Sequence, residues 1–221
     1  MYLHYVLDLW VNQWRRKEAD GEVIIVRYAD DCVMGFQHKD EAEKFLELLK
    51  ERLGKFGLEL HPEKTRLIEF GRFAEESRKN RVQGKPETFN FLGFTHYCGR
   101  TRANGRYIVN RKTIAKRMSE RLKTIKETLM RNRHEPVAKQ GEWLSRVVRG
   151  YLNYHAIPGN SPRIASFRYS VLHLWVRALK RRSQRCCLNW ERFAQLAENW
   201  IPKARILHPY PNARFHAKYP R

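Results

Sequence analysis

The 221-residue sequence predicts an α+β fold in which a carboxylate-bearing part precedes a strongly basic helical part. Three observations predict it. Two short apolar runs, Val23–Val26 and Cys32–Phe36, flank a four-residue turn, as in a β-hairpin. Apolar residues then recur at helical spacing through Ala42, Phe45, Leu46, Leu49 and Leu53, and again in several segments after residue 110. Charge is divided: residues 1–97 carry 16 Lys and Arg against 17 Asp and Glu, net −1, whereas residues 98–221 carry 28 against 6, net +22.

In chain order, Leu3, Leu7, Trp10 and Trp14, with Val6 and Val11, predict an amphipathic helix from the first residue. The hairpin follows. The next helix runs to Phe56, with Gly57 as its C-terminal stop. Strands are expected at Leu58–Leu60, Thr65–Phe70 and Phe89–His96, with a charged loop over Gly71–Thr88. After Tyr97, Gly99 and Gly105 mark a hairpin or linker. Four helices are then expected: around Ile114, Met118, Leu122, Ile125 and Leu129; around Leu144, Val147, Val148 and Tyr151; around Phe167, Val171, Leu174, Trp175 and Ala178; and around Trp190, Phe193, Leu196, Ala197 and Trp200, with Asn189 as N-cap. Trp143 and Trp175 are assigned to the core, and the Pro-rich end from Pro202 is expected to be irregular. The predicted organisation is an antiparallel sheet with packed helices over 1–97 and a helical bundle over 98–221.

A net charge of +21 and a pI near 10.2 point to a polyanionic partner, and the concentration of that charge in one half favours nucleic-acid backbone over an anionic membrane. No apolar run approaches the roughly 20 residues of a membrane span, and no signal peptide is visible. Cys32, Cys98, Cys186 and Cys187 show no zinc spacing and read as reduced thiols of a cytosolic protein.

Asp30 and Asp31 are adjacent at the hairpin turn. Two neighbouring carboxylates repel each other and call for counter-charge, which a divalent metal supplies. A plain polar turn is the alternative, since Asp is a common turn residue.

Tyr28-Ala29-Asp30-Asp31, then Gly57-Leu58-Glu59-Leu60-His61-Pro62-Glu63-Lys64-Thr65, then Phe91-Leu92-Gly93-Phe94, in this order, resemble the second half of a reverse-transcriptase palm. The resemblance is strongest to the group II intron reverse transcriptase/maturase family. It continues through the run from Trp143 to His155, Ile157-Pro158-Gly159-Asn160, Leu174-Trp175-Val176-Arg177, Arg181–Arg185 and Asn189–Phe193, which are similar to that family's α-helical thumb, or maturase domain. Nothing resembles the His- and Cys-rich endonuclease domain of some members.

The resemblance implies an RNA-directed DNA polymerase using Mg²⁺ and deoxynucleoside triphosphates, with an RNA template and DNA primer, and a maturase that binds group II intron RNA. It assigns metal binding and catalysis to Asp30, with Asp31 adjacent and secondary, and leaving-group assistance to Lys64. It places Tyr28 and Ala29 beneath the primer end, and Leu92 and Gly93 at a turn supporting it. Phe91 and Phe94 are read as core.

Lys112, Lys116, Arg117, Lys123, Lys126, Arg149, Arg177, Lys180, Arg181, Arg182 and Arg185 are candidate phosphate contacts. Tyr151, Tyr154, His155 and Trp190 are candidates for stacking on unpaired bases.

The family's second essential Asp precedes its Tyr-Ala-Asp-Asp strand, and Asp8, on a helix, is read as a surface residue. The resemblance therefore implies a truncated chain without fingers and first palm half, inactive alone and complemented by an N-terminal reverse-transcriptase half. The expected location is cytoplasmic, in a ribonucleoprotein. A splicing factor with no polymerase activity, or a fragment of a defence or orphan reverse transcriptase, are the competing functions.

Overall fold

A computed structural model describes residues 2–101, 103–183 and 188–210. The fold is α+β, and the chain parts into two compact units: Met1–Phe70 with Glu76–Glu87, and Gly71–Glu75 with Thr88–Arg221. Strand β4 (Phe94–Arg100) runs through residue 97, so the change in charge falls inside a strand.

In the first unit a π-helical turn, His4–Asp8, runs into α1 (Leu9–Lys17), followed by the antiparallel pair β1 (Val23–Tyr28) and β2 (Asp31–Phe36) and by α2 (Lys39–Gly54). A lone two-stranded ladder is marginal in water; packing holds this one. Phe45 is 2% exposed, with ring centroids of Trp14, Phe36 and Trp10 at 4.7, 5.1 and 5.4 Å. Burying one such side chain contributes about 1.5–3 kcal/mol. Val6, Val11, Val23, Leu49 and Leu53 complete the cluster.

Helix α2 stops as its sequence predicts. Gly57 adopts φ +66, its N–H donates to Gly54 O, and the Leu58 N–H donates to Leu53 O. This is the Schellman pattern, in which glycine takes the left-handed position without a Cβ penalty.

Two expectations are corrected here. Leu58–Leu60 and Thr65–Phe70 are not strands, because neither joins a ladder with another described segment. The charged stretch 71–88 contains a helix, α3 (Ala74–Asn80), which buries only Ala74 and so lacks an apolar stripe to announce it.

The second unit begins with the three-stranded antiparallel sheet β3 (Phe89–Phe91), β4 and β5 (Tyr107–Thr113). The expected single strand Phe89–His96 is in fact two strands joined by a tight turn: Leu92 (φ 46) and Gly93 (φ 80) are both left-handed, and Phe91 pairs with Phe94. Phe94 is buried, as expected, and Phe91 half-buried.

Four helices follow, α4 (Ala115–Arg131), α5 (Val137–His155), α6 (Ser161–Lys180) and α7 (Trp190–Trp200), around one core containing Ile125, Leu144, Val148, Phe167, Trp175 and Phe193. Asn189 caps α7 by accepting from the Arg192 N–H at 3.0 Å. Trp143 lies half-buried against the core.

Two buried amides tie the second unit together. Asn160, fully buried, accepts from the Thr113 N–H (2.9 Å) and donates to Thr113 Oγ1 and His155 O (2.8 Å each), joining the end of β5 to the α5–α6 turn. Gln140 Nε2 faces the carbonyls of Asn132, Arg133 and Glu135, which follow α4, and its Oε1 accepts from Trp175 Nε1 at 3.0 Å. At the α5–α7 contact, a Cβ on Gly141 would lie 2.5 Å from Trp200 Cδ2.

Candidate carboxylate turn and nucleic-acid interface

The carboxylate turn is the two-residue link of the β1–β2 hairpin: Tyr28 pairs with Asp31, and Ala29 and Asp30 span the gap. Ala29 has φ 52, a conformation that costs a residue with a Cβ roughly 1–2 kcal/mol. Arg27 offsets that cost by donating from Nη1 to Ala29 O at 2.8 Å. The same guanidinium makes a fork on Asp8, with Nε to Oδ1 at 2.7 Å and Nη2 to Oδ2 at 2.5 Å.

Asp8 is therefore not the free surface residue the sequence suggests. It is half-buried, and the Arg27 hydrogen bonds hold its carboxyl below the usual range. Asp30, Asp31 and Tyr28 are exposed, Tyr28 at 66%. Lys64 is exposed too, on a turn closed by the Lys64 and Thr65 N–H groups donating to His61 O rather than on a strand edge.

In the second unit, the Leu92–Gly93 turn is held from α5. The Tyr154 hydroxyl donates to Leu92 O at 2.7 Å, and its ring stacks on Phe94. Gly93 is enclosed: a Cβ there would lie 3.2 Å from Arg117 Nη1 and 3.4 Å from Tyr154 Cε1. Beside this turn, a groove of about 350 Å³ is lined by Arg117 and Arg121 of α4 and by Arg146, Gly150, Tyr154 and His155 of α5, among others.

Residues 1–96 match the reverse transcriptase (RNA-dependent DNA polymerase) family. No curated protein matches the chain. The matched segment includes Tyr28, Ala29, Asp30, Asp31, Lys64, Leu92 and Gly93; the arginine groove lies beyond it.

The basic candidates outside the matched segment are not one surface. On α4, the 3.6-residue period separates Arg117 from Lys116, Lys123 and Lys126, all exposed; Arg117 faces the groove with Arg121, four residues on. Lys112 lies over the Tyr97 ring at 5.1 Å. Arg149, Arg177, Lys180 and Arg181 are exposed, whereas Arg182 donates to His134 O at 3.2 Å and so serves the fold in part. Arg185, Cys186 and Cys187 lie outside the described residues; Cys32 and Cys98 are free thiols.

Tyr151 requires correction as a stacking candidate. It is 9% exposed and packed face to face on Phe167 at 3.5 Å, so one face of its ring is taken by the core, although its edge lines the arginine groove. Arg121 and Arg146 were missed, although the Arg117–Arg121 i,i+4 spacing signals a shared face.

His155 adds no charge to the groove at neutral pH. Burial, and secondarily Arg117, push its pKa down to about 4, and Thr113 Oγ1 lies 3.3 Å from its Nδ1. The folded state then resists a proton that the unfolded chain accepts near 6.5. Stability is expected to be full above about pH 6.5 and to fall as pH drops toward 4. His96, lowered by burial and by Arg111, adds to the same trend. Urea midpoints measured across that range should fall less steeply for His155→Gln than for the parent chain.

Proposed function

We propose that this chain is the palm hairpin and basic thumb of a group II intron-type reverse transcriptase/maturase, acting on intron RNA. The observation that carries the reading is the exposed Asp30–Asp31 hairpin inside the segment that matches reverse transcriptases. Its C-terminal neighbour is a helical unit rich in exposed cations, the expected partner of a phosphate backbone.

The donor set fits Mg²⁺ in kind. This ion takes oxygen ligands, commonly one or two carboxylates completed by water and substrate phosphates, and Asp30 with Asp31 supplies the two carboxylates. When bound, divalent metal neutralises phosphate charge and activates the attacking oxygen. The protein's own residues prepare that position: Arg27 locks the turn, and Tyr28 presents an exposed ring beside Asp31.

A second reading, an RNA-binding splicing factor without polymerase activity of its own, is favoured by one observation. Among the described residues, no third His, Cys, Asp or Glu joins Asp30 and Asp31 in a metal-holding cluster. The purified 221-residue chain is accordingly expected to bind structured RNA and to give no Mg²⁺-dependent primer extension.

Binding should weaken steeply with salt, with a log–log slope near −0.9 per duplex phosphate neutralised or −0.7 per single-strand phosphate. Gel shifts at graded salt and a primer-extension assay check both. Extension by the chain alone would remove the second reading; salt-insensitive or absent RNA binding would remove both.

A further inference from the structure

Three aromatic rings meet on the surface of α6 and α7. Tyr169 contacts His173 with centroids 4.2 Å apart, and His173 stacks on Trp190 at 4.8 Å with an interplanar angle of 21°. The two outer rings are the open ones, Tyr169 at 60% and Trp190 at 43% exposure. The array is anchored from below, because Trp190 also packs on Phe193, which is fully buried.

A single exposed aromatic needs no explanation. Two open rings joined through a half-buried third, in a protein able to bury Trp175 and Phe193 completely, form a preordered π-surface. The local charge selects what it receives. Tyr169, His173 and Arg177 follow one another at i, i+4 and i+8, so an exposed guanidinium stands one turn beyond the rings on the same stripe of α6, with Lys180 after it. Arg192 lies two residues past Trp190, and Glu191 is the acid between them. An apolar protein surface would gain little from these cations. A ligand that alternates flat π-faces with negative charge matches both features, and an unpaired nucleotide strand is such a ligand.

We propose that Tyr169, His173 and Trp190 form a stacking platform for unpaired bases of a single-stranded nucleic acid, with Arg177 taking an adjacent phosphate. This rests on the RNA-binding reading above and assigns part of that binding to stacking rather than to charge. Stacking is sequence-tolerant and insensitive to salt, whereas phosphate contacts are not.

The test uses the full chain, a single-stranded oligouridylate and an RNA duplex of equal length, with fluorescence anisotropy at graded salt. The Tyr169→Ala/Trp190→Ala double variant is expected to weaken single-strand binding by roughly 10- to 100-fold at every salt concentration, leaving the salt slope and duplex binding unchanged. Tyr169→Phe/Trp190→Phe should restore most of the affinity. If thermal melting shows that Trp190→Ala unfolds the unit, Tyr169→Ala alone carries the test, with an expected loss of roughly fivefold. Unchanged single-strand affinity, or equal loss on the duplex, would overturn the platform. Failure of the parent chain to bind either RNA would instead overturn the RNA-binding reading.

Discussion

Asp30→Ala is expected to abolish DNA synthesis in any polymerising assembly that contains this chain while leaving RNA binding nearly intact. Asp30 sits at the tip of the β1–β2 turn with an exposed side chain, so its removal exposes no core and breaks no ladder pair. What it removes is a candidate metal ligand. A metal contributes several kcal/mol of charge stabilisation to phosphoryl transfer, and losing about 4 kcal/mol lowers a rate roughly a thousandfold. Affinity for RNA should not fall, because a lost carboxylate adds no repulsion to a polyanion. Replacing Arg117, Arg121 and Arg146 together with Ser should act in the opposite sense, making the salt dependence of RNA binding shallower by removing phosphate-facing charge. Single-turnover primer extension and salt-graded binding on both variants separate the two effects. Equal loss of RNA binding in both variants would mark Asp30 as a folding residue.

The second large effect falls on stability. Asn160→Ala removes three hydrogen bonds at a fully buried site and strands the Thr113 N–H, whereas the Thr113 hydroxyl keeps His155 Nδ1 at 3.3 Å and the His155 carbonyl keeps the Ile157 N–H at 2.9 Å. A buried polar group left without a partner costs about 1–3 kcal/mol, and the other two lost bonds add to it, so a loss of about 2–3 kcal/mol is expected. Against a typical domain stability of about 5–15 kcal/mol this is a large fraction. Asn160→Asp keeps the acceptor for the Thr113 N–H but replaces the amide donor with a second oxygen facing His155 O, and should rescue little. Urea unfolding of the chain, followed by circular dichroism, reads both values.

How much of this was readable from the sequence depends on how local each signal is. The Gly57 stop and the Asn189 cap each rest on a few consecutive residues whose conformational preferences are strong, the hairpin around Ala29 and Asp30 rests on the two apolar runs that flank it, and each forms as expected. The helical faces of α4 to α7 were equally plain, because their apolar stripes repeat over several turns. Strands at Leu58–Leu60 and Thr65–Phe70 were misread because a strand is completed by a neighbour, and the sequence of one segment does not say whether a neighbour is present. The burial of Tyr151 was not legible for a related reason. Periodicity placed it on the apolar face of α5 but did not tell which aromatic on that helix meets Phe167 and which, like Tyr154, reaches the Leu92 turn. The role of Asp8 depended on Arg27, 19 residues away, and no pattern within either segment announces that pairing.

Gly141 has a consequence for how this sequence can drift. Helix propensity alone would favour alanine there, by about 1 kcal/mol. The indole of Trp200 occupies the space that a methyl group would need, and a ring cannot fold aside as a flexible chain can. Positions 141 and 200 therefore behave as one hereditary character: a lineage gains freedom at 141 only after it has replaced the tryptophan, and a library randomised at 141 alone should return glycine.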